Sequence, residues 1–136
     1  MNKFILDTDI CIYWLKGNQD IERNIIFHGL NNIFITVITE CELFYGACKS
    51  SQREKNLAVM NDLRKKILTL HTAESVPYRY GRIKSELEST GTKLDDADIL
   101  IACITLHHQA TLVTNNTRHF GRIEGLSMEN WSVKNQ

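Results

Sequence analysis

The sequence predicts an α/β fold in three layers, α/β/α, with a central, mostly parallel sheet of four to five strands. Three observations point there. Short apolar runs alternate along the chain with longer amphipathic stretches. No repeat, linker or low-complexity segment interrupts that alternation. The 136 residues suffice for one domain, 1–136, with a substantial core. Strands that return through helices need crossover connections, which favours parallel pairing and a sheet covered on both faces.

Taken in order, Phe4-Ile5-Leu6 is a short apolar strand that stops at Asp7, and Thr8 to Lys16 continues as an amphipathic helix ended by Gly17. A second helix covers Asp20 to His28, with Gly29 in the position after a helix that favours glycine. Ile33 to Val37 is β-branched and aromatic, a strand by propensity. Thr39-Glu40-Cys41-Glu42 fits a capping box that opens a helix through Lys49. The stretch from Gln52 to Lys66 spaces Leu57, Met60, Leu63 and Ile67 at helical steps. Ile67 to His71 reads as a brief strand. The helix after it ends at Gly91, and Pro77 favours a start near Ser75 over Thr72, because proline suits only a first turn. Asp95 to Gln109 is a mostly apolar helix with an acidic first turn, Thr111 to Thr114 the next strand, and Leu126 to Trp131 supplies the last.

Composition narrows the function classes. The longest unbroken apolar run, Ile99 to Ile104, is far short of the roughly 18 residues a membrane helix needs. Asp7 and Asp9 interrupt the N-terminus before a secretory core could form, so the expected location is cytoplasmic, with no membrane partner. Four cysteines, Cys11, Cys41, Cys48 and Cys103, lack metal-site spacing and are expected as small buried core thiols. Sixteen basic residues balance sixteen acidic ones, which argues against wrapping in nucleic acid by bulk charge. The distribution is uneven: residues 1–48 carry −3, 49–93 carry +5 and 94–136 carry −2. Arg64, Lys65 and Lys66, with Arg79, Arg82 and Lys84, form either a face for a polyanion or a solvated helix surface.

The chemistry gathers at the carboxyl ends of the strands, where open parallel sheets hold their ligands. Asp7 closes the first strand, Glu42 lies in the helix after the second, Asp98 stands in the first turn of its helix, and Asn115-Asn116 follow Thr111 to Thr114. All can converge on one rim. Carboxylates brought together there would repel and rise in pKa unless a cation joined them. Oxygen-only ligands select hard Mg2+ or Mn2+ over zinc, and such an ion can activate water against a phosphodiester. Each acid also has a plainer role: Glu42 as a capping residue through the Thr39 amide, Asp98 as a first-turn acid, Asp7 as a helix cap.

At these residues the sequence resembles the PIN-domain ribonucleases, and among them the VapC-type toxins of type II toxin–antitoxin systems. Phe4-Ile5-Leu6-Asp7-Thr8-Asp9-Ile10 is similar to the family's opening strand and D-T-[NDS] motif. Thr36 to Leu43 followed by Tyr45-Gly46 resembles the segment carrying its glutamate, here Glu42. Asp98-Ile99-Leu100-Ile101-Ala102 resembles D-x-x-I-A, and Thr111 to Phe120 with Gly125-Leu126 and Asn130-Trp131 resembles the C-terminal signature. The resemblance implies a PIN-like fold and a Mg2+- or Mn2+-dependent endoribonuclease that cuts structured RNA, often tRNA. It implies Asp7, Glu42 and Asp98 as metal ligands, joined by Asn116 as a catalytic residue. It further implies a homodimer and a cognate VapB-type antitoxin able to place an arginine among the acids. In two places the chain departs from the pattern, with Asn116 where many members have aspartate and His119 where many have glutamate. One firmly held ion is therefore expected, unless Asp96 or Asp9 supplies a fourth carboxylate, and His119 is expected as a polar surface or supporting residue.

Two rivals stand beside this reading. Asp7-Thr8-Asp9 also fits the D-x-D of a haloacid-dehalogenase-like phosphatase with Asp7 as nucleophile, for which Lys93 with Asp95 and Asp96 would have to serve at unusually tight spacing. Neutral Asn116 and His119 fit a non-catalytic PIN module that binds RNA or protein without turnover.

Overall fold

The computed structural model describes residues 2–132; Met1 and residues 133–136, the ends of the expected single domain, lie outside the described residues. Strand β1 (Phe4–Leu6) leads into helix α1 (Thr8–Leu15), then α2 (Gln19–His28), a 3-10 turn (Leu30–Asn32), β2 (Ile33–Thr36), α3 (Val37–Lys49) and α4 (Arg53–Lys66). There follow β3 (Leu68–Leu70), α5 (Val76–Ser89), α6 (Asp96–His107), β4 (Thr111–Val113), α7 (Thr117–Phe120) and β5 (Ser127–Glu129). Gly17 and Gly29 take positive φ of 91° and 88°, which is why glycine ends the first two helices.

The sheet runs β3-β2-β1-β4-β5 and every pairing is parallel. Phe4 registers with Ile33 on one side and Thr111 on the other. Strand β1 is fully buried and its side chains alternate between two cores. Phe4 and Leu6 join Ile10, Ile21, Ile35, Leu43 and Met60 beneath α1–α4, while Ile5 joins Ile83, Leu87, Ile101, Leu112 and Phe120 beneath α5–α7. Helices on both faces of a parallel sheet make the three expected layers. Among the described residues no helix is long and apolar enough to cross a membrane.

Two expectations need correction. Helix α3 begins at Val37, and its cap is Thr36, whose hydroxyl accepts from Thr39 N; Glu42 therefore lies beyond the first turn and caps nothing. Strand β2 is correspondingly one residue shorter than its β-branched run. Second, Cys11 and Cys103 are buried but Cys41 and Cys48 are exposed. The buried stripe of α3 is Thr39, Glu40, Leu43 and Ala47, and the two cysteines fall outside it despite apolar neighbours in sequence. Of the two readings left open for the basic stretch, a single polyanion face is disfavoured, because the stretch is divided between α4 on one face of the sheet and α5 on the other, and Arg64, Arg82 and Lys84 are ion-paired with Glu40, Glu86 and Asp96. The 3-10 turn and α7 were not anticipated; each is too short for a periodic signal.

Candidate active site

The order β3-β2-β1-β4-β5 reverses direction at β1 and β4, and the crevice at a switch point is where such sheets bind. Asp7 follows β1 and is only 4% exposed. Its Oδ1 accepts from Thr8 N at 2.9 Å, capping α1, and its Oδ2 accepts from Thr114 Oγ1 at 2.7 Å, just past β4. Thr114 Oγ1 in turn accepts from Asn116 N at 2.9 Å. The hydroxyl thus links the loop after β4 to the acid after β1.

Asp9, one residue into α1 from Thr8, turns both oxygens to backbone donors: Ile10 N at 2.7 Å and Asn115 N at 3.2 Å. Glu42 reaches the rim from α3, where Thr8 Oγ1 donates to its Oε1 at 2.6 Å and lies 3.1 Å from Thr39 Oγ1. Asp98 arrives from the first turn of α6.

Electrostatics reports the crowding. Burial, then the charge of Asp9, raises Asp7 to about 7 against the hydrogen bonds from Thr114 and Thr8, with Asp98 adding to the rise. Burial also raises Asp9, opposed by its backbone donors. Asp98 is raised to about 6 by burial, then by Asp95 and Glu42, while His119 works the other way. Asp7, Asp9, Glu42 and Asp98 therefore share one anionic field, and His119, exposed on α7, contributes the opposing charge.

Among the described residues no three acid, histidine or cysteine side chains stand together as a finished metal cage. The donors at this edge are nevertheless all oxygen, and three of the carboxyls, Asp7, Asp9 and Asp98, are held above their ordinary range. That combination fits a hard dication that keeps several of its waters and takes one or two carboxylates, as Mg2+ does. Asp96 is committed elsewhere: Tyr80 Oη and Lys84 Nζ each reach its Oδ1 at 2.8 Å, and these bonds hold its carboxyl below the usual range. The side-chain amide of Asn116 has no hydrogen-bond partner among the described residues, whereas its neighbour Asn115 is bonded through both backbone and side chain. Of the predicted set, Asp7, Glu42, Asp98 and Asn116 all come to the carboxyl edge. The sequence alone assigns no role to Thr8, Thr114 or Asn115; their one signal is that each lies within two residues of the end of an apolar strand. Beside Glu42 a groove of about 390 Å³ opens between α1, α3 and α4, floored by Leu43 and Met60 with Lys16 and Lys55 among its lining residues.

A family model described as PIN domain matches residues 4–126. The chain belongs to the PIN-domain family. It is 36% identical over 132 residues to the tRNA(fMet)-specific endonuclease VapC of Shigella flexneri, covering 97% of this chain and 100% of that one. It is 35% identical over 130 residues to Ribonuclease VapC2 of Rickettsia felis, covering 94% and 97%. The structure superposes on DNA-bound VapBC from Salmonella typhimurium with a TM-score of 0.90 at 35% identity, covering 96% and 99%. On VapBC2 from Rickettsia felis bound to a DNA fragment from their promoter, the TM-score is 0.88 at 33% identity, covering 94% and 98%. Within the PIN-domain family the chain is therefore of the VapC type, and its buried aspartate is the acid at the end of the opening strand.

Proposed function

We propose that this protein is the toxin of a toxin–antitoxin pair, an endoribonuclease that acts with Mg2+ or Mn2+ on structured RNA, tRNA foremost, as one domain. The observation that carries the reading is Asp7, a buried carboxyl at the sheet's switch point, tied to Thr8 and Thr114 and sharing its field with Asp9 and Asp98. Its VapC relatives with ribonuclease and tRNA endonuclease names support the substrate class.

Asp7, Glu42 and Asp98 would hold the ion. When bound, it supplies an acidified water and neutralises charge on the phosphodiester during in-line displacement. The chain does the positioning. Thr114 and the Thr8 amide stop Asp7 from rotating, and the Thr8 hydroxyl aims Glu42 from a neighbouring helix. Asn116 offers an amide group to a phosphate oxygen or to water. The acidic rim also suits a guanidinium, a fixed charge with a planar donor fork, as the inhibitory group of a VapB-type antitoxin. Structures of VapBC complexes superpose on this chain over nearly its whole length, which supports that partner; a homodimer belongs to the same reading.

The test is direct. Purified protein with Mn2+ should cut tRNA, and Asp7→Asn or Asp98→Ala should abolish cutting while circular dichroism stays unchanged. Full activity in both variants would overturn the assignment. RNA bound but uncut under every divalent ion would favour the non-catalytic module, and a phosphorylated Asp7 trapped with phosphomonoesters would favour the phosphatase. Lys93, which the phosphatase would need, forms no ion pair among the described residues.

A further inference from the structure

The chain beyond β5 folds back onto the carboxyl edge. Trp131 is buried, stacks on His28 with ring centroids 5.2 Å apart and planes within 10°, and donates through Nε1 to Glu129 Oε1 at 2.9 Å. A large, immobilised aromatic therefore fixes the residues on either side of it, Asn130 and Ser132. Both reach one atom. Asn130 Nδ2 donates to Asn115 Oδ1 at 3.2 Å, and Ser132 Oγ lies 3.1 Å from the same oxygen. The two are also locked to each other, with Asn130 Oδ1 accepting from Ser132 N at 2.9 Å and from Ser132 Oγ at 2.6 Å.

Asn115 sits in the loop between β4 and α7, and its own side is exposed. Its amide donates to Asp9 Oδ2, and the residues before and after it complete the link to Asp7: Asn116 N to Thr114 Oγ1, Thr114 Oγ1 to Asp7 Oδ2. One three-residue loop thus addresses two carboxylates and carries Asn116. The backbone of this loop is also held by Asp9, Thr114 and Glu129, but among the described residues the Asn115 side chain has no partners besides Asn130 and Ser132, so these two add the one tether of the loop through that side chain.

We propose that Asn130 and Ser132 are positioning residues for the nuclease reaction, acting through Asn115 to fix the 114–116 loop against Asp7 and Asp9. This rests on the nuclease reading above. It does not make either residue catalytic, since neither touches the acids. Asn130→Ala and Ser132→Ala should lower kcat on tRNA by about 10- to 100-fold, the range seen when partners behind a site's ligands are removed, with KM unchanged. Ser132→Thr, which keeps the hydroxyl, should restore it.

The second readout needs no metal and no RNA. Hydrogen exchange of the metal-free variants should quicken at the Asn115 and Asn116 amides while the amides of β4 keep their protection. Unchanged exchange at these amides, unchanged kcat, failure of Ser132→Thr to rescue, or loss of protection throughout β4 would each overturn the proposal, the last by reducing it to general stability. If the wild-type protein cuts no RNA, the nuclease reading fails and the kinetic half falls with it; the exchange result still decides whether the tail holds the loop.

Discussion

Two threonine hydroxyls decide where the carboxylates at this edge point. Thr114 Oγ1 bridges to Asp7 across 107 residues of sequence, and Thr8 Oγ1 bridges to Glu42 across 34. Valine matches threonine in shape but has no proton to give. Thr114→Val should therefore leave a buried carboxyl oxygen without its donor and destabilise the protein by about 1–3 kcal/mol, measured by urea denaturation. Thr8→Val should keep stability near wild type, because the bond it removes is exposed, yet slow RNA cleavage by about 10- to 100-fold, and Thr8→Ser should recover most of that rate. Wild-type cleavage by Thr8→Val would show that Glu42 finds its place unaided. The acids themselves were legible in sequence because a carboxylate directly after an apolar strand is conspicuous. Their hydroxyl partners were not, since which loop lies beside Asp7 depends on β1 pairing with β4, and no local pattern encodes that pairing.

At the scale of elements, the alternation of apolar runs and helical stripes gave five strands and the six longer helices nearly at their observed bounds, and burial explains why. The central strands β1, β2 and β4 are covered on both faces and so mostly apolar, whereas helices show a stripe and the edge strands β3 and β5 keep exposed residues. What failed was reading which face of α3 is buried. Its inner side carries Glu40, 7% exposed, whose Oε2 lies 2.8 Å from Arg64 Nε on α4. A buried acid inside an amphipathic stripe looks like an exposed one until its partner on the next helix is known. Arg64→Ala should strand that charge and destabilise the α3–α4 pair by about 1–3 kcal/mol, and the double variant Glu40→Leu with Arg64→Met should regain most of the loss, since replacing both partners removes the unpaired charge. For comparison, Ile5→Ala in the central strand should cost about 2–5 kcal/mol and Cys41→Ala on the exposed face less than about 0.5 kcal/mol. Equal losses at Ile5 and Cys41 in chemical denaturation would contradict the burial assigned to α3.

For the whole molecule, the acidic edge is a local liability that the two cores must carry. In an unfolded chain Asp7 titrates near 3.8, but in the fold it titrates near 7 and Asp98 near 6, so the folded state keeps protons that the unfolded state has released. An acid raised by folding contributes stability below its unfolded pKa that is lost as the pH climbs to its folded one. The metal-free protein should therefore melt at a lower temperature at pH 7.5 than at pH 5, the reverse of a protein whose acids are salt-bridged. A dication that binds only the folded state adds stability by mass action, and it competes with protons for the same oxygens. Mn2+ should thus raise the melting temperature at pH 7.5 and do little at pH 5. Asp7→Asn separates this account from a general pH effect. Asparagine still caps α1 by accepting from the Thr8 amide, and it removes the charge that burial and Asp9 penalise. The variant should be more stable than wild type at pH 7.5 without metal, lose most of the pH slope and respond weakly to Mn2+, while losing cleavage. Stability gained by deleting a functional acid is what a strained site predicts; an Asp7→Asn protein that melts below wild type at pH 7.5 would show that Asp7 supports the fold instead of burdening it.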